Sequence, residues 1–416
     1  MNPREQSLNQ QLIGDSFFYL LNKIVPGLTG LISVIVFMRW VGPDGYGQLT
    51  LLLSFIMAVG ALSSGWLIQA VLRYYTHDIS SPEFSEAIRH GILISLLLGF
   101  VVLLTASIFF NEIDIFTFII AYFSLSSIIL FRLKATLLRA GLKAKQVTKM
   151  TCIQAILGII IPVLILMGRN HYLSILAGIA IAYLVTGYNK NLLESKKSKN
   201  YLVHDNSILK KYYSFGIPIS ARMALGLFIP FLERWFIMFF FDNAITGYYA
   251  SYSEIIVRVF SVILFPITLA IHPRATHLWN QGMEKESIHL IKKGIGIQTG
   301  IFSLSFLILI FLENEIFQLS TMLIPGLETQ FMALGIPIFI LGYLLQVSLL
   351  IHMPLELSEK PMKLVWSVGL ALVIAVLGNL IFLPRFGVIA TAYSSVASSI
   401  AYITGIFIFI KFDKKS

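Results

Sequence analysis

Charge is scarce in this sequence: Asp, Glu, Lys and Arg together make up 12% of 416 residues, about half the share found in an ordinary soluble domain. Apolar residues fill 57%, and the mean hydropathy is +0.82. A soluble fold must still cover its surface with polar groups, so this composition excludes an ordinary soluble enzyme, a disordered chain and a fibrous repeat. The single cysteine, Cys152, cannot form an intrachain disulfide. With no His or second Cys nearby it reads as small core filler. A Gly-rich loop ending in Lys and Ser/Thr is missing, which excludes a nucleotide-driven pump within this chain. His272 and His277 are too isolated to hold a metal, and no metal site is expected. No carboxylate pair sits in a loop large enough for a pocket, so no catalytic residue is expected and the chain does not read as an enzyme. What these absences leave is a chain dissolved in the bilayer.

Crossing about 30 Å of hydrocarbon takes roughly 20 apolar residues in a helix. Twelve such stretches occur, at about 12–38, 48–72, 90–110, 115–131, 150–168, 173–188, 214–240, 246–271, 294–312, 331–355, 364–384 and 387–410. The first is far longer than the apolar region of a signal peptide, about 7–15 residues, and reads as a span. Loops on the cytoplasmic side are enriched in Lys and Arg. With the N-terminus inside, 24 of the 31 basic residues fall in inside segments, among them Arg132 and Lys134. Only Arg39, Arg169 and Arg385 fall outside, and Lys23, Arg222, Arg234 and Arg258 fall within spans. The net charge of +10 is thereby accounted for by topology, and nucleic acid is not an expected partner. The expected fold is all-α integral membrane: twelve helices, N-in and C-in, in two six-helix lobes (1–189 and 213–416) joined by a basic cytoplasmic linker at 190–212. The longest outer loop, about 313–330, is short and acidic.

The two halves share a weak repeat. Gly45-Tyr46 follows the first span as Gly247-Tyr248 follows the seventh, at an offset of 202, and Gly168-Arg169 stands near Pro384-Arg385 at about 216. Six spans per half make the repeat parallel, the trace expected of a transporter built by duplication.

With Arg39-Trp40-Val41-Gly42-Pro43-Asp44-Gly45-Tyr46-Gly47-Gln48 after span one, Glu233-Arg234 followed by Gly247-Tyr248-Tyr249-Ala250, Pro266 with Pro273-Arg274, and Pro384-Arg385-Phe386-Gly387, the chain resembles a known family. It is similar to the polysaccharide transporters, Wzx-type O-antigen flippases in particular, of the multidrug/oligosaccharidyl-lipid/polysaccharide exporter (MOP) superfamily. The turn motif is carried by Gly42, Pro43, Gly45, Tyr46 and Gly47. Family members usually carry Asp before the span-seven arginine; here Glu233 keeps the charge on a longer side chain. The resemblance implies a bacterial cytoplasmic membrane protein that moves undecaprenyl-diphosphate-linked glycan of a lipopolysaccharide or other surface-polysaccharide pathway. Its surroundings would be membrane lipid and other polysaccharide-assembly membrane proteins. No cofactor is implied beyond a coupling ion, proton or sodium.

An ionisable group at the bilayer centre costs at least about 2.5–3.5 kcal/mol and so faces a cavity or a partner. Lys23 lies near the midplane of span one, where Pro26, Gly27 and Gly30 can kink the helix. Arg222 and Glu233 share a face of span seven, and Glu254 and Arg258 form an i,i+4 pair on span eight. One reading places Lys23, Arg222, Arg258 and Arg234 in a cationic cavity for an anionic headgroup, since guanidinium forks bind diphosphate well. The other pairs Glu233 with Arg234 and Glu254 with Arg258 as structural ions, Glu233 and Glu254 being coupling or structural acids. His352 and Glu356 are candidates for a gate or proton role. Three functions compete with a flippase. A multidrug or cation antiporter should carry unpaired acids; a membrane-embedded polymerase or glycosyltransferase should carry a large outer loop; a lipid II flippase typically has two further spans.

Overall fold

The computed structural model describes residues 3–78, 82–110, 114–188, 207–358 and 360–413. Most of the basic stretch expected as a linker at 190–212 lies outside them. Every regular element among the described residues is helical: α1 (Pro3–Asp78), α2 (Pro82–Phe110), α3 (Ile115–Ala140), α4 (Ala144–Leu166), α5 (Tyr172–Gly187), α6 (Ser207–Phe240), α7 (Asn243–Asn280), α8 (Glu284–Phe311), α9 (Glu313–Leu323), a 3-10 turn (Thr329–Leu334), α10 (Gly335–Ile351), α11 (Met353–Leu357), α12 (Pro361–Phe386) and α13 (Ile389–Asp413). Among the described residues ten segments are long and apolar enough to cross a membrane. The first is two helices fused across Gly42, and α5 is a shorter apolar helix. Counting both arms of α1 and including α5 gives the twelve spans expected. This is a multi-pass membrane protein.

The break in α1 falls at Gly42, whose φ of 70° an L-residue rarely adopts. At Pro26, Gly27 and Gly30, where the sequence allows a kink, the backbone keeps helical φ/ψ. Gly27 and Gly30 instead give room to Val262 and to the Arg258 guanidinium. The acidic outer segment also holds more structure than a loop, since Glu313–Leu323 is helical. Its last turn explains one exception to the Lys/Arg rule: Arg39 donates to the Met322 carbonyl at 2.8 Å, satisfying an acceptor that helix geometry leaves open.

The chain divides into two compact units, residues 1–26 with 52–228 and residues 27–51 with 229–416. The first is built on an apolar cluster of Trp66, Leu67, Val71, Ile88, Leu133 and Tyr212. Here Trp66 stacks on Tyr213 at 4.2 Å and the Arg73 guanidinium lies over Phe215. Small residues let backbones approach, the usual basis of helix packing in lipid. Gly178 meets Pro162, Gly187 meets Phe131, and Gly216 meets the Trp66 backbone. Lys134, counted in an inside loop from the sequence, lies on α3 and caps α5, donating to the carbonyls of Thr186 and Tyr188 at 2.8 and 2.9 Å.

The second unit has its own cluster of Ile271, Ala275, Ile291, Leu350 and Met353. Its tightest helix contact is reciprocal: a Cβ on Gly47 would strike the Asn243 carbonyl, and one on Gly247 would strike the Pro43 carbonyl. The contact joins 47 to 243 and 43 to 247, so it places 43 and 47 at positions equivalent to 243 and 247, an offset of 200 (247 − 47). Matching the Gly-Tyr dipeptides gave 202 because it aligned residue identities, whereas packing requires small residues at the point of approach.

Candidate functional site: two buried polar networks

In the second unit Glu233 and Arg234 of α6 and Glu254 and Arg258 of α7 sort into two networks. Arg234 does not pair with its neighbour Glu233, as the sequence reading allowed. Adjacent helical residues point about 100° apart, and Arg234 reaches across to Glu254 on α7, with Nη2 2.7 Å from Oε1. Its Nη1 donates to the Thr50 carbonyl at 3.3 Å, which fixes the guanidinium on a second helix. The other carboxylate oxygen, Oε2, accepts from Arg258 Nη2 at 3.1 Å and from the Tyr46 hydroxyl at 3.3 Å. The expected i,i+4 pair of Glu254 and Arg258 therefore forms, but as half of a triad in which one carboxylate serves two arginines. Exposure rises along it, with Arg234 at 14%, Glu254 at 21% and Arg258 at 36%. Tyr46, carried by the turn motif, is buried and serves this triad.

Glu233 turns the opposite way, into a buried cluster of neutral groups. Ser395 on α13 donates to its Oε1 at 2.6 Å, and the Tyr249 hydroxyl lies 3.5 Å from Oε2. The cluster continues through Thr391, which donates to the Asn379 side-chain oxygen at 2.8 Å, so α12 joins it. No basic side chain among the described residues lies within ion-pair distance of Glu233. A buried carboxyl whose hydrogen-bond partners are hydroxyls can hold a proton or a hard cation on its oxygens. Sequence reasoning named Glu233 but missed Ser395, Asn379 and Thr391, which have no charge to draw attention to them.

The first unit holds Lys23 and Arg222, so the four expected cavity cations do not gather in one unit. Lys23 is exposed, and Arg222 is half-buried. Among the described residues Arg222 forms no hydrogen bond or ion pair. A further cation was missed altogether: Arg132, assigned to a loop from the sequence, lies within α3, and its Nη2 contacts the Met57 sulfur at 3.1 Å with no carboxylate partner among the described residues. A count of Lys and Arg by segment has no means of separating a snorkelling side chain from one turned inward. His352 sits between Glu356, 3.5 Å away, and the Tyr402 hydroxyl at 3.3 Å. Among the described residues no three of His, Cys, Asp and Glu group as a metal site. An apolar groove of about 530 Å³ runs along α12 and α13, lined by Leu377, Ile381, Phe382, Phe386, Ile389 and Tyr393.

This helix order has solved counterparts. The chain superposes on the lipid II flippase MurJ in an inward closed conformation with a TM-score of 0.72, covering 95% of this chain and 87% of that one at 14% identity. An inward-facing multidrug resistance MATE family transporter of the MOP superfamily gives 0.70, with 96% and 99% covered at 14% identity. The fold is that of the MOP-superfamily transporters. A third MOP transporter, from Pyrococcus furiosus and described for the reverse polarity of its binding pocket, gives 0.64 at 13% identity, with 95% and 94% covered. No family model and no curated protein sequence matches the chain.

Proposed function

We propose that this chain is a flippase of a bacterial cytoplasmic membrane that carries polyprenyl-diphosphate-linked oligosaccharide, an O-antigen or other surface-polysaccharide unit, to the outer leaflet. The observation that carries this reading is the sign of the charge left over inside the spans. Arg222 and Arg132 have no acidic partner among the described residues. Uncompensated cations in a low-dielectric region are costly alone and favourable with an anion, and arginine suits a diphosphate through bidentate contacts. Lys23, Arg222, Arg258 and Arg234 are the proposed headgroup contacts, with Arg132 added to them. The apolar groove on α12 and α13 suits an isoprenoid chain. Transport proceeds by alternating access of the two six-helix lobes, N-in and C-in, with no chemical step. Glu233, with Ser395, Thr391 and Asn379, is the coupling site for a proton or sodium ion.

The same Glu233 cluster supports a second reading, a multidrug or cation antiporter, in which the carboxyl binds the cargo itself. Deleting the gene separates the two. A flippase deletion stops surface polysaccharide while lipid-linked units build up on the inner leaflet. Loss of drug resistance with normal polysaccharide supports the antiporter, and absence of the lipid-linked unit overturns both in favour of a synthetic enzyme.

A further inference from the structure

Resting on that reading, we infer that Glu254 is an internal counter-ion that occupies the diphosphate's place on Arg258 and Arg234 and is displaced when cargo binds. The triad has the composition such a role demands. Two guanidinium groups face one carboxylate, so a single acid holds both arms when the triad is closed. Both carboxylate oxygens are engaged, Oε1 by Arg234 and Oε2 by Arg258 and Tyr46. A diphosphate offers the same acceptor pattern with more oxygens and more charge, and can satisfy both forks at once.

The two arginines differ in a way that sets the order of events. Arg234 is the more buried and is also held by the Thr50 carbonyl, so its guanidinium is fixed. Arg258 is the most exposed of the three and passes over Gly30, where any Cβ would collide with it. Gly30 thus keeps a channel open in which the Arg258 arm can lie. Arg258 is the arm an incoming anion meets first, and Glu254 is the group it must replace. When cargo leaves, Glu254 returns, so neither arginine is left as an uncompensated charge in the membrane. The carboxylate therefore weakens resting affinity and promotes release. It acts as a positioning and affinity-setting residue that need not touch the cargo.

Binding of inorganic pyrophosphate and of farnesyl diphosphate to the full chain in lipid nanodiscs tests this, in wild type, Glu254→Gln, Glu254→Asp and Arg258→Gln. Removing the competitor in Glu254→Gln should tighten pyrophosphate binding about tenfold, within the range usual for two ligands coupled at one place. The variant should also be less heat-stable than wild type when free and regain stability with pyrophosphate, which a purely structural ion pair would not do. Glu254→Asp keeps the charge but is too short to bridge both forks, so it should tighten binding by a smaller factor. Arg258→Gln should weaken binding. Equal gains for the two ligands place recognition on the phosphates, and a larger gain for the farnesyl ester assigns it to a lipid headgroup. If Glu254→Gln does not fold, Glu254→Asp decides alone, and unchanged or weaker pyrophosphate binding in it overturns the proposal. Tighter binding in the Glu254 variants without any effect on polysaccharide export would uphold the counter-ion and remove the flippase reading.

Discussion

Gly247→Ala adds one methyl group at the closest helix approach in the second unit. The new Cβ points at the Pro43 carbonyl oxygen, with the Gly47 amide beside it, so the obstacle is backbone on both sides and has no flexible end to yield. Restoring ordinary contact requires residues 43–47 and the start of α7 to part by about 1.5–2 Å, since carbon atoms pack best at roughly 3.5–4 Å from their neighbours. Overpacking of this kind costs about 1–3 kcal/mol. Alanine returns up to about 1 kcal/mol over glycine in a helix interior, which leaves a net destabilisation of about 1–2 kcal/mol if the middle of each range applies. Gly300→Ala on α8 is the matched control: open space surrounds it, so it receives the propensity gain without the collision. Thermal unfolding of the full chain in one detergent should place Gly247→Ala below wild type and Gly300→Ala at or above it. A Gly247→Ala midpoint equal to or above wild type would refute the reciprocal contact.

Other perturbations follow from the same structure. Arg222→Gln and Arg132→Gln should each reduce export while the protein still inserts, with Lys restoring part of it and Glu worst; full export in both neutral variants contradicts a cationic path. Glu233→Gln should abolish the dependence of transport on the coupling ion, whereas Ser395→Ala should shift that dependence without abolishing it; ion dependence unchanged in Glu233→Gln removes the coupling role. Asp114 caps α3 by accepting from the Thr117 amide at 2.9 Å, and its hydrogen bonds to Thr117 hold its carboxyl below the usual range. A depressed carboxyl stabilises the fold above its unfolded value and stops doing so as pH falls through the native one. The stability gap between wild type and Asp114→Ala should thus be full at neutral pH and close in acid; a pH-independent gap contradicts this. Cysteines placed at 197 and 416 should resist impermeant labels added from outside, and labelling of either overturns the N-in, C-in topology.

Hydropathy alone carried the fold because lipid demands long apolar helices and little else. The places where it failed are local. The break in α1 falls at Gly42, where a positive φ turns the chain, and hydropathy has no means of marking it. Glu254 with Arg258 was legible, being one helical turn apart. Arg234 with Glu254 is a contact between helices, and Glu233 with Ser395 spans 162 positions, so no local pattern announces either. Arg132 was lost for a different reason: its place near the inner end of a span looks like topology until its side chain is seen lying against Met57.

The central claim, that this MOP-fold protein moves an anionic lipid-linked glycan, is tested most directly in proteoliposomes carrying a fluorescent polyprenyl-diphosphate oligosaccharide in both leaflets. A membrane-impermeant reductant added outside should quench about the outer half of the label in empty vesicles. The account predicts that wild-type protein renders the inner half accessible as well and that Arg222→Gln does not. An inner pool that stays protected from active protein, while the same vesicles extrude a cationic dye, would contradict it.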